Sequence, residues 1–172
     1  NTELDPTFRF FSNSITPVSV GTPIVVTAIG LLSHQKSVRN KGLFIGEAFA
    51  VSSFVTLAMK YGIQRDRPFV TYPFIQKLSD GGSPSFPSGH TSSAFSTATS
   101  LSIAFPKWYV IAPSFLWASG VGYSRMHLGV HYPSDVLVGA IVGSGTAFLT
   151  HFLNKKILAK RNYISPGANA YW

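Results

Sequence analysis

The chain has 172 residues, of which 45% are hydrophobic and 12% charged, with a formal net charge of +8 and no cysteine. That length suits one domain over residues 1–172, and the charged share is about half of the ~25% usual in soluble domains, so the composition points to lipid surroundings. Disulfides, thiolate metal sites and N-glycosylation are excluded, because the chain has neither a cysteine nor an Asn-X-Ser/Thr triplet.

Residues 1–14 carry Phe8, Phe10 and Phe11 around Arg9, which reads either as an amphipathic segment at the headgroup level or as an apolar cap on a bundle. The first residue is Asn1 rather than Met, so a removed leader or a missing upstream span is expected. Five apolar stretches follow, at about residues 15–33, 42–59, 90–105, 108–123 and 133–153. Each comes close to the ~20 residues a helix needs to cross the hydrocarbon core, and none shows the period-2 alternation of barrel strands. The expected fold is an all-α integral-membrane bundle with about five transmembrane helices plus the N-terminal amphipathic segment. The third stretch is rich in hydroxyls, from Thr91 and Ser92 to Ser102, and is expected inside the bundle, where small side chains allow close helix approach. Glu47, an acid in the second stretch, is expected to bond those hydroxyls. Gly139 and Gly143 form a GxxxG pair on the fifth stretch, for which packing is a sufficient reading.

Lys36, Arg39, Lys41, Lys107, Lys155, Lys156, Lys160 and Arg161 fall between or after the apolar stretches, with no acid among them. This is the pattern of cytoplasmic loops. Alternating the spans from there puts residues 60–89 and 124–132 on the outer face, the periplasmic or extracellular side of a plasma (inner) membrane. A nucleic-acid surface would need the same charges on one folded face among exposed aromatics, so no nucleic-acid partner is expected. Residues 69–86, the longest connection, contain Pro73, Gly81, Gly82 and Pro84 and are expected to line or gate an entrance.

Three clusters fall on that outer face. Lys60 closes the second stretch and Arg67-Pro68 follows. Arginine offers a rigid fork to phosphate oxygens and lysine a point charge, although Lys60 taken alone reads as a snorkelling anchor. Arg65 and Asp66 read as an ordinary surface pair. Pro87-Ser88-Gly89-His90 opens the third stretch: Ser88 suits an N-cap, Gly89 admits close backbone approach, and a helix start attracts anions. Ser124-Arg125 ends the fourth, followed by His131 and Asp135. With Pro133 in the first turn of the fifth helix, Asp135 can reach back to the imidazole and fix its tautomer. Such a pair taken alone is more often a structural surface contact than a catalytic one. His34, His127 and His151 read as structural.

In order and spacing, Lys60-six-Arg67-Pro68, Pro87-Ser88-Gly89-His90 and Ser124-Arg125-five-His131-three-Asp135 resemble the signature of the type 2 phosphatidic acid phosphatase superfamily. Membrane members usually have six spans, against five apolar stretches here. The resemblance implies a membrane lipid phosphatase in which His131 attacks phosphorus and becomes phosphohistidine, Asp135 orients it, and His90 protonates the leaving alkoxide. Lys60, Arg67, Ser88, Gly89 and Arg125 would hold the phosphoryl oxygens, while Ser124 has no clear ligand role. No metal and no cofactor is implied, and the partners are a lipid phosphate and the bilayer. A lipid phosphotransferase, a vanadium haloperoxidase-like enzyme and a non-catalytic scaffold remain alternatives. Because His131 must be neutral and His90 protonated, a bell-shaped pH profile is expected.

Overall fold

The computed structural model describes residues 2–164, and within them the side chains of residues 3–157. Asn1 and the side chains of Lys160 and Arg161 lie outside the described residues. After a short 3-10 turn, the helices are α1 (Asp5–Asn13), α2 (Ile15–Leu32), α3 (Lys36–Ile63), α4 (Pro68–Thr71), α5 (Gly89–Ala104), α6 (Trp108–His127) and α7 (Pro133–Ile164). All five apolar stretches are helical. Among the described residues, three segments are long and apolar enough to cross a membrane: Asp5–Leu32, Lys36–Thr71 and Pro133–Ile157. α5 has 16 residues, about 24 Å at 1.5 Å per residue.

Local chemistry sets the helix ends that matter for the site. α3 stops where Gln64 turns left-handed at φ 51°, its N–H closing on the Lys60 carbonyl. Proline opens both α4 and α7, where its missing N–H costs nothing. Ser88 caps α5 by accepting the Thr91 N–H.

α5 is the central helix, packed on α3, α6 and α7. Most of its hydroxyls are buried, and several pair with neighbouring helices: Ser92 Oγ lies 2.7 Å from both Ser52 Oγ and Thr56 Oγ1 of α3, Thr97 donates to Ser19 of α2, and Thr99 to Ser144 of α7. The glycine pair on α7 permits close approach to α5. A Cβ on Gly139 would stand 2.8 Å from the Ser88 carbonyl oxygen, and one on Gly143 would collide with the Ser92 carbonyl. Glu47 departs from expectation: its carboxylate accepts from Asn154 Nδ2 of α7 at 2.6 Å rather than from α5. Ser92, the α5 hydroxyl that faces α3, is already bonded to Ser52 and Thr56.

The outer surface is the apolar one. Phe54 and Leu116 are each 74% exposed, and Ile24, Leu57, Leu137, Ile141 and Phe148 also face outward. Polar interior and apolar exterior are what lipid surroundings select. α1 packs along α6, with Phe8 tilted against Tyr123 and His127, and His127 Nε2 lies 2.7 Å from Asp5. Lys36, Lys107 and Lys156 sit at the ends of α3, α6 and α7 opposite Lys60, Arg125 and Asp135. All three clusters of interest therefore share one end of the bundle.

Candidate active site

Five pieces of the chain build the site. The end of α3 supplies Lys60, the following extended segment Arg67, the start of α5 Gly89 and His90, the end of α6 Arg125, and the α6–α7 turn His131. These six line one cavity of about 220 Å³, together with Asp80, Gly81, Gly82 and Ser83 of the long loop. His90 and His131 thus face the same small space. Backbone bonds lock the parts together: the Ser88 N–H donates to the Asp135 carbonyl, the Leu78 N–H to the Leu128 carbonyl, and the Val130 and His131 N–H groups to the Arg125 carbonyl. Gly129 turns the chain into His131 at φ +72°, and a Cβ there would strike the Gln76 carbonyl.

The cations are deeply set. Relative exposure is 1% for Arg125, 4% for Lys60 and 7% for Arg67. Arg67 Nη1 donates to the Val130 carbonyl at 2.9 Å and lies 3.5 Å from His131 Nε2, while its Nε donates to the Ser83 carbonyl. Lys60 Nζ donates to the Pro84 carbonyl at 2.5 Å. Arg125 donates to Ser12 of α1, to Ser79 Oγ at 3.0 Å and to the Asp80 carbonyl at 3.2 Å. Its Nε is buried without a partner among the described residues. Burying three cations around one space costs several kcal/mol per ion unless an opposite charge compensates. The α5 start adds N–H groups that have no acceptor within their own helix. The cavity is therefore suited to a small anion with several oxygens.

Asp135 lies behind the cavity, fully buried, with Oδ2 at 3.4 Å from His131 Nδ1. That leaves Nε2 on the cavity side, beside Arg67. His131 is pushed down from 6.5 to about 4, by burial first and by Arg67, Lys60 and Arg125, against the raising effect of its Asp135 contact. It is neutral near pH 7, with a lone pair available. Ser88 and Ser124 do not line the cavity: Ser88 Oγ accepts from Thr91 Oγ1, and Ser124 Oγ donates to the Val121 carbonyl.

Two neighbours were not legible as site residues. Arg65 does not form a surface pair with Asp66. Its Nη1 donates to Asp135 Oδ1 at 2.8 Å, because the extended backbone after α3 carries it over the start of α7. Ser85 Oγ donates to Asp135 Oδ2 at 2.5 Å. Neither residue type nor spacing signals these contacts. For Ser79, Asp80 and Ser83 the one signal was the length of their loop.

A family model described as the PAP2 superfamily matches residues 41–158. The chain is 33% identical over 101 residues to lipid A 4'-phosphatase of Bacteroides thetaiotaomicron, a match covering 59% of this chain and 45% of that protein. It is 34% identical over 131 residues to undecaprenyl-diphosphatase of Sulfolobus acidocaldarius, covering 74% of this chain and 61% of that one. The matches thus span about half to three fifths of these curated relatives. Among solved structures, the transmembrane PAP2 type phosphatidylglycerolphosphate phosphatase of Bacillus subtilis superposes with a TM-score of 0.74 at 27% identity, covering 91% of this chain and 79% of that one.

Proposed function

The chain belongs to the PAP2 superfamily and is a multi-pass membrane protein, and on that premise we propose that it hydrolyses a phosphomonoester or diphosphate of a lipid through a phosphohistidine intermediate. The observation that carries the reading is the single cavity shared by Lys60, Arg67, Gly89, His90, Arg125 and His131.

His131 Nε2 attacks phosphorus, and the bond to the leaving oxygen breaks on the opposite side. His90 gives its proton to that oxygen, and the bound phosphoryl group is the counter-charge available to the protonated ring. Asp135 holds Nδ1–H and offsets the charge that the imidazole gains. Lys60, Arg67, Arg125 and the backbone at Gly89 stabilise the phosphoryl oxygens as charge shifts among them. Ser88 serves through the cap that fixes this backbone. Water, deprotonated by His90, then displaces phosphate from His131. Fixed cations supply the positive field, so turnover is expected to survive a chelator.

A lipid substrate is supported by a second cavity of about 320 Å³, lined in part by Ile15, Val20, Phe49 and Leu57, which shares Lys60, Gly89 and His90 with the first. The apolar space thus borders the phosphate cavity at His90, where the leaving oxygen and its hydrocarbon would lie. Phosphatidic acid, phosphatidylglycerol phosphate, polyprenyl diphosphate and lipid A type phosphates all suit this chemistry. The basic ends of α3, α6 and α7 support a cytoplasmic placement of that end, and with it a site on the outer face of the plasma membrane.

The test is phosphate release from these four substrates by purified protein with EDTA present and no acceptor lipid, with His131→Ala as control. Release by the wild type alone is expected. Release only when an acceptor lipid is added would make the protein a transferase, and loss with EDTA would refute the metal-free mechanism.

A further inference from the structure

Behind the cavity, Arg65 and Ser85 converge on Asp135 from two separate loops. The Ser85 N–H donates to the Arg65 carbonyl at 2.7 Å, so the two residues are joined at the backbone. Asp135 is fully buried, and its oxygens are divided between them. Oδ1 accepts from Arg65 Nη1 at 2.8 Å. Oδ2 accepts from Ser85 Oγ at 2.5 Å and from the Tyr132 N–H at 2.9 Å, and lies 3.4 Å from His131 Nδ1. Arg65 is held in turn: its guanidinium stacks 3.9 Å from the Tyr132 ring centroid, and Nη1 also donates to Ser134 Oγ at 2.8 Å. Neither Arg65 nor Ser85 lines the phosphate-sized cavity.

We propose that Arg65 and Ser85 are positioning residues, a clamp that fixes the Asp135 carboxylate against the back of the His131 imidazole and supplies its counter-charge while that imidazole is neutral. The clamp rests on the reading of His131 as nucleophile. A buried carboxylate facing a neutral ring needs a cation, and Arg65 forms the ion pair with Asp135 from outside the cavity. One extended segment then addresses both ends of the pair, because Arg67, two residues on, sits beside the other ring nitrogen. With Arg65 in place, Asp135 attracts the His131 proton less strongly. Without it, His131 would hold a proton to higher pH and its ring would be less firmly aimed. The other charged and titratable groups facing His131 are Lys60 of α3, Arg67, His90 of α5 and Arg125 of α6, and all remain unchanged when Arg65 or Ser85 is replaced.

The experiment measures kcat and KM from pH 4 to 9 on dioctanoyl phosphatidic acid, using the full chain in detergent micelles. Variants are Arg65→Ala, Arg65→Gln, Arg65→Lys and Ser85→Ala, with His131→Ala as control. Arg65→Ala is expected to lower kcat about 10- to 100-fold, the range usual for groups that orient a reacting ligand from behind, with KM within about threefold. Its acid limb moves to higher pH by roughly half a unit to one unit, a shift on the scale of one nearby charge. Arg65→Lys restores the limb, and Ser85→Ala lowers kcat with a smaller shift. An unshifted limb with wild-type kcat, or a rise in KM alone, overturns the clamp. If Arg65→Ala does not fold, Arg65→Gln takes its place with the same expected outcomes, since it keeps an amide donor and loses the charge. Turnover by His131→Ala would remove the nucleophile assignment and the clamp with it. A dead His131→Ala beside unaffected Arg65 and Ser85 variants would remove the clamp alone.

Discussion

His131 has its two nitrogens in different surroundings, Nδ1 toward a buried carboxylate and Nε2 beside Arg67 in the cavity. That asymmetry is what a nucleophile needs, and replacing His131 by Ala is expected to lower kcat on the order of 10³-fold or more, read as phosphate release. The pH dependence has a definite sign. Protonated His131 cannot attack, so kcat/KM falls as pH drops through the value of the free enzyme. Burial and three cations place that value at about 4 rather than 6.5, so the acid limb is expected well below pH 6. A limb near 6.5 would mean that His131 is open to water. At Arg67, lysine keeps the charge but not the two-point geometry shared among the Ser83 and Val130 carbonyls and the His131 ring. Arg67→Lys is therefore expected to lose about 10-fold or more in kcat/KM. At this scale the residues lining the cavity were largely legible, because three motifs of fixed spacing named them. Arg65 and Ser85 were not, since their meeting at Asp135 depends on the path of two loops.

The helices hold these side chains by packing a small-residue, hydroxyl-bearing α5 between α3, α6 and α7. Gly143 is a tight point of the α5–α7 contact, where any side chain would meet the Ser92 carbonyl. Gly143→Leu is expected to destabilise the protein by about 1–3 kcal/mol through overpacking, seen as a lower Tm in detergent, with activity lost at the same temperature because α5 also carries His90. Phe49 borders the apolar cavity, which shares His90 as a lining residue with the phosphate-sized cavity. Phe49→Trp is expected to raise KM for a long-chain lipid phosphate while leaving KM for a water-soluble phosphomonoester within about twofold; equal effects on both would mean that the apolar cavity holds no hydrocarbon. The helices themselves were legible from hydropathy, with starts near 15, 90, 108 and 133 matching α2, α5, α6 and α7. Their lengths were less so. α3 runs over Lys36–Ile63 where hydropathy marked 42–59, and α7 reaches Ile164 rather than 153. Hydropathy detects the part of a helix that suits hydrocarbon, whereas backbone hydrogen bonding continues through charged turns at either end. Glu47 shows the same limit for polar partners: sequence marked it as costly in lipid, but only the bundle shows that Asn154 receives it.

Across the whole molecule, one end of the bundle gathers the candidate site and the other the basic residues, with an apolar exterior between them. The sidedness can be measured directly, because the chain has no cysteine of its own. In intact cells a membrane-impermeant maleimide is expected to label Gly82→Cys in the cavity loop but not Lys107→Cys at the far end of α6, and the reverse would invert the topology. The helical layout followed from the length of the apolar stretches, and the shared face of the three clusters from charge placement. The mutual placement of loops did not, since it depends on backbone bonds such as Leu78 to Leu128 that leave no pattern in sequence. The central claim is that phosphorus passes through His131. The most direct measurement is a rapid alkaline quench of turnover on a lipid carrying radiolabelled phosphate, followed by mapping of the labelled residue. Label on His131 that forms and decays at the rate of phosphate release is the predicted result; steady release with His131 unlabelled at every time point would contradict it.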